Sequence, residues 1–128
     1  MKDMGKNENL CRGSRTLIFA CSGGADVGEI ADRAARQLAA EGCGKMFCLA
    51  GLGGKVREIV ETTKEADRIV AIDGCPTDCA KKTLAEAGFD KVRHIRVTDL
   101  DMVKGKTPAT PVSVRKVVDK VKEKIKSP

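Results

Sequence analysis

The chain has 128 residues, a formal net charge of +6 and a pI near 9.1, a length that suits one domain able to bury a core without disulfides. Hydrophobic residues make up 41% and charged residues 33%, which excludes a disordered chain, and no apolar run approaches the ~20 residues needed to cross a bilayer. The basic excess is gathered in Arg115, Lys116, Lys120, Lys122, Lys124 and Lys126; with no Trp or Tyr to stack on bases, a solvated helix face is a better account of it than nucleic-acid binding.

Residues 1–15 are polar, mixed in charge and without a signal-type apolar core. They read as a flexible tail on a protein expected to stay in the cytoplasm, with residues 16–128 as a single metal-binding domain. Thr16 to Ala20 is a short apolar run ending at Cys21, the pattern of a strand buried on both faces. A helix is expected from Ala25 to Glu41, because Val27, Ile30, Ala31, Ala34 and Leu38 form one apolar stripe and Gly42 supplies a stop.

Lys45 to Ala50 reads as the second strand, with Cys48 late in it, and Gly51 to Gly54 as a flexible turn. The second helix is expected over Lys55 to Glu65 with Val56, Ile59, Val60 and Thr63 inward. Ile69 to Ile72 is the third strand, closed by Asp73-Gly74-Cys75-Pro76, and a third helix starts near Asp78, with Thr77 or Asp78 as its cap, and ends at Gly88. Lys91 to Val97 is more polar and suits an edge strand with one wet face. After a loop from Thr98 to Pro111, Thr110-Pro111 starts the last helix, which buries Val114, Val117, Val118, Val121 and Ile125.

The alternation implies a three-layer α/β sandwich of Rossmann-like or flavodoxin-like type, with a mostly parallel four-stranded sheet in the order 2-1-3-4. In such a sheet every strand ends at one edge, where ligands bind. Cys21, Cys48, Cys75 and Cys79 all map to that edge, and Cys21, Cys48 and Cys75 are spaced 27 residues apart. Six cysteines in a chain that alternates strands and helices point to metal or thiol chemistry rather than a disulfide framework. Four thiolates make a closed tetrahedral zinc site, and helix starts favour the thiolate form. Any one of these cysteines alone reads equally well as inert packing.

Cys43 should lie at the opposite edge, and Cys11 sits on the tail. Asp26 and Asp78 read as caps or turn formers, while Asp73 could orient neighbours. His94 reads as a surface residue of the edge strand. Gly51 to Lys55 lacks the spacing and the Ser or Thr of a phosphate loop.

Cys21-Ser22-Gly23-Gly24-Ala25-Asp26-Val27-Gly28, Cys48 to Gly54, and Ile72 to Ala80 together resemble the DGC-domain family of prokaryotic proteins, in which Asp73-Gly74-Cys75 would be the naming triplet. The resemblance covers Thr16 to Asp99. It implies cysteine-bound zinc, with Cys21, Cys48, Cys75 and Cys79 as the matching positions, and no defined reaction.

The first expectation is therefore a small protein holding Zn2+ on Cys21, Cys48, Cys75 and Cys79; an iron–sulfur cluster would also suit four thiolates, and colour would reveal it. The alternative is thiol redox or persulfide handling by Cys75 and Cys79. A third variant leaves one zinc position open for catalysis, with Asp73 as the general base.

Overall fold

The computed structural model describes residues 15–126. The expected tail, apart from its last residue, lies outside the described residues, and Cys11 with it. Arg15 is tied into the fold: its N–H donates to Asp67 Oδ2 at 2.7 Å and its carbonyl accepts from Asp67 N at 2.8 Å.

Four strands, β1 (Thr16–Ala20), β2 (Lys45–Met46), β3 (Arg68–Asp73) and β4 (Arg93–Arg96), form one all-parallel sheet in the order β2-β1-β3-β4. Among the described residues five helices accompany them: α1 (Asp26–Ala40), α2 (Leu49–Gly53), α3 (Arg57–Lys64), α4 (Cys79–Glu86) and α5 (Pro111–Lys126). A 3-10 turn, Val97–Leu100, follows β4. The fold class and the strand order are those expected from the sequence. Among the described residues no helix is long and apolar enough to cross a membrane.

Strand alternation sorts the core. Ile18, Ala20, Val70 and Ile72 face α1 and α5, where Ile30, Ala34, Leu38, Val117 and Val121 are fully buried. Leu17, Phe19, Ile69 and Ala71 face the other way, onto Leu52 of α2 and Ala80 and Leu84 of α4. There Phe19 meets Phe47 edge-to-face, with centroids 6.0 Å apart. Burial of one such side chain stabilises the fold by about 1.5–3 kcal/mol. Thr110 caps α5 as its sequence suggests, accepting from Ser113 N at 3.2 Å. Gly42 and Gly88 follow α1 and α4 with φ of 80° and 96°, the left-handed conformation expected of helix stops.

The second unit departs from expectation. β2 keeps only two residues, and Cys48 is not within it. Leu49–Gly53 is helical, where the sequence pattern continues the strand through Ala50 and opens a flexible turn at Gly51, and Cys48 is its cap: Cys48 Sγ accepts from Gly51 N at 3.2 Å. The reason is local and tertiary together. The thiol satisfies an amide left free by the helix start, and the turn seats Leu52, 1% exposed, against the sheet. Val56, expected inward, is 44% exposed because α3 begins after it.

Candidate functional site

The parallel sheet carries Cys21, Cys48, Cys75 and Cys79 to its carboxyl edge, each just past a strand or at the first turn of a helix. Cys43 is elsewhere: it precedes β2 and is 1% exposed within the larger apolar cluster. Cys21 and Cys75 are half-buried, whereas Cys48 and Cys79 are exposed.

The Asp-Gly-Cys triplet organises this edge, and each of its residues has a separate physical task. Asp73 ends β3 on the α4 face and is 0% exposed. Its carboxylate accepts from Ala80 N at 2.7 Å and Lys81 N at 3.1 Å, so the start of α4 is capped from the sheet. Gly74 lies against the first turn of α1. A Cβ there would stand 2.8 Å from Gly28 N and from the Val27 backbone, so no larger residue fits. The Gly74 N–H donates to Cys21 Sγ at 3.3 Å. The Gly74 carbonyl accepts from Thr98 N at 3.2 Å, which locks the loop after β4 to the turn.

Cys75 Sγ lies 3.4 Å from Thr77 Oγ1, and Lys104 Nζ donates to it at 3.8 Å. The Thr77 hydroxyl and amide, with the charge of Lys104, hold this thiol below its ordinary pKa against the opposing effect of partial burial. Lys104 is delivered by a loop tied to α1. Asp26, rather than only capping its helix, accepts from Gly105 N at 2.8 Å and Thr107 N at 3.1 Å. Those amides, the Gly105 bond foremost, keep the Asp26 carboxyl below the usual range.

A polar network sits beside the thiols on the α4 face. His94, expected at the surface, is 16% exposed in its side chain, and its Nε2 lies 2.9 Å from Asp73 Oδ2 and 3.5 Å from Asp78 Oδ1. Both oxygens belong to acceptors, so Nε2 carries a proton. Asp78, expected as a cap, makes no cap bond. It stands before α4 at φ 56° and turns its carboxylate to Arg96, with Nη2 to Oδ2 at 2.6 Å and Nε to Oδ1 at 2.9 Å. That pairing lowers the Asp78 pKa and raises that of Arg96.

Sequence reasoning missed His94 and Arg96. Their signal was weak but present: both fall on one face of β4, alternating with Ile95, and in parallel register they stand beside Ala71 and Asp73. Asp73 cannot serve as an accessible general base, being fully buried with both carboxylate oxygens engaged.

Among the described residues, the group of three metal-capable side chains whose ligand atoms lie within 4.8 Å of one another is Asp73, Asp78 and His94. No three cysteine sulfurs of the described residues meet that distance; a tetrahedral thiolate zinc site spaces its sulfurs by about 3.8 Å, given Zn–S bonds of about 2.3 Å. The Asp-His group is occupied by its own hydrogen bonds and by the Arg96 cation. The cysteine donors suit a soft metal by their chemistry, and backbone amides already donate to two of the sulfurs. A cleft of about 370 Å³ between Thr63, Arg68 and Phe89 lies at the amino edge, remote from these groups.

The model of the DGC domain matches residues 17–121 of the chain. The chain is also similar to the "Anaerobic and virulence modulator AnvM" of Pseudomonas aeruginosa PAO1, at 34% identity over 83 residues. That alignment covers 65% of this chain and 63% of the relative, so the chain spans less than two thirds of the relative's length. No solved structure matches it. With the family model covering most of its length and the Asp73-Gly74-Cys75 triplet at the centre of its site, the chain belongs to the DGC-domain family.

Proposed function

We propose that the protein binds zinc through thiolates of Cys21, Cys48, Cys75 and Cys79. The supporting observation is that Gly74 N donates to Cys21 Sγ and Gly51 N to Cys48 Sγ. Each amide orients a sulfur at the carboxyl edge of the sheet, where Cys75 and Cys79 also stand. Cys48 and Cys79 are exposed at the same sheet edge as the half-buried Cys21 and Cys75, and metal uptake would turn both toward that pair, with Cys48 giving up its bond from Gly51 N. The metal would supply a cross-link between units that β1, β2 and β3 begin.

The test is metal content and a free-thiol count on protein purified without added metal. About one zinc per chain, with four thiols protected until chelation, is the expected result. No metal and freely reacting thiols would overturn the reading. Cys48→Ser should then lower metal affinity and the stability of the loaded protein together.

A second reading, thiol redox or sulfur handling at Cys75 and Cys79, draws on the Thr77 and Lys104 contacts to Cys75. The name of the Pseudomonas relative, an anaerobic modulator, is compatible with a thiol site that senses oxidation. Under this reading the metal-free protein cycles between dithiol and disulfide, and Lys104→Gln slows alkylation of Cys75 by iodoacetamide about threefold. A thiol count unchanged by mild oxidation would count against it.

A further inference from the structure

We propose that Asp73 and His94 are positioning residues for the cysteine edge: the buried carboxylate, held by the imidazole, fixes the first turn of α4 and thereby sets Cys79 relative to Cys75. The inference rests on the thiolate reading above and adds residues to it.

A helix is ordinarily capped by the residue just before it. Here that residue is Asp78, whose carboxylate is taken by Arg96. The amides of Ala80 and Lys81 are met instead by Asp73, seven and eight residues back along the chain. The start of α4 is therefore anchored to the end of β3 rather than to its own leading turn. Cys79 is the first residue of that helix, and Cys75 stands two residues after the anchor. One buried side chain thus spans both members of the pair.

His94 completes the anchor from the neighbouring strand. Its N–H meets Asp73 Oδ2, the same oxygen that takes Lys81 N at the longer distance of 3.1 Å. A buried carboxylate stripped of one donor is destabilised, and its remaining hydrogen bonds must rearrange. Loss of His94 should therefore loosen the first turn of α4. Groups that orient metal ligands from behind change affinity by about 10–100-fold when removed.

The experiment measures Zn2+ affinity of the metal-free protein by competition with a coloured chelator, and exchange of the Ala80 and Lys81 amides by NMR. His94→Ala should bind Zn2+ at least about tenfold more weakly, with both amides exchanging faster. His94→Gln, whose carboxamide N–H can still reach Asp73, should recover most of both. Val118→Ala, fully buried against the opposite face, serves as the control: it should lower Tm and leave the affinity within about twofold. Affinity of His94→Ala within about twofold of wild type, an equal loss in Val118→Ala, or no recovery in His94→Gln would each overturn the proposal. Should the wild-type protein take up no Zn2+, the metal reading fails by itself. The amides then decide the positioning: faster exchange in His94→Ala upholds it and unchanged exchange overturns it.

Discussion

One face of the sheet is covered by α1 and α5, helices of 15 and 16 residues that bury Ile30, Leu38, Val117 and Val121 completely. The other is covered by α2, α3 and α4, of 5, 8 and 8 residues, where Ile59, Val60 and Phe89 are only partly covered. The long helices hold themselves down with apolar area. The short ones are too small to do so alone, and polar links reach out from the sheet and the turns to hold them: Asp73 to α4, His94 to Asp73, and the Cys48 thiol to Gly51. The first face sets how stable the protein is. The second sets where the exposed thiols stand, and it is also the face with the most freedom to adjust when a ligand arrives.

Four changes would break or sharpen this contrast. The largest effect belongs to the thick face. Leu38→Ala leaves a cavity with no solvent access and should destabilise by about 3–4 kcal/mol in denaturant melts, with alkylation of Cys48 and Cys79 as in the wild type. Altered thiol reactivity in that variant would mean that the faces are not independent.

Gly74→Ala comes next, at about 2–3 kcal/mol, because the new methyl meets backbone atoms of Val27 and Gly28 at 2.8 Å and backbone cannot step aside as a side chain can. It strikes where the thick face joins the edge, so thermal melts should show lost stability and Cys75 should alkylate at a changed rate. A neutral outcome would show that α1 slides freely over the turn.

The third comparison uses two cysteines. In metal-free protein Cys43→Ser places a hydroxyl among apolar side chains and should lower stability by about 1–2 kcal/mol, whereas Cys48→Ser should change it by less than about 0.5 kcal/mol, as an exposed site would. Calorimetry on both variants separates packing from ligation, and equal losses would remove the distinction.

The smallest effect concerns Glu41, which joins α1 to α5. Its burial would raise its pKa, but hydrogen bonds from Arg115, Lys122 and Gln37 outweigh this and bring it down to about 2. The folded-state value lies below the ordinary glutamate value of 4.5. The contribution is therefore complete above pH about 4.5 and is lost as pH falls toward about 2. Solvent screening keeps it to about 1 kcal/mol. Glu41→Gln should melt lower than wild type at pH 6 and converge with it in acid; parallel Tm curves would show that the ion pairs contribute nothing.

The alternation of short apolar runs with striped helices was enough to specify the parallel sheet, its order, and which edge carries Cys21, Cys48, Cys75 and Cys79. Periodicity records which side of each element is buried, and in a βα architecture that information almost determines the topology. Helix limits at Thr110, Gly42 and Gly88 were equally legible, because caps and left-handed stops depend on residues next to the helix. What the tertiary structure decided was the choice of hydrogen-bond partners at the site. Asp78 could have capped α4 and was taken by Arg96, 18 residues away; Asp73 took the cap instead; His94 left the solvent for Asp73, 21 residues away; and Asp26 reached Gly105 across 79 residues. A carboxylate has several donors within its local reach, and only the folded chain decides which distant donor competes successfully for it.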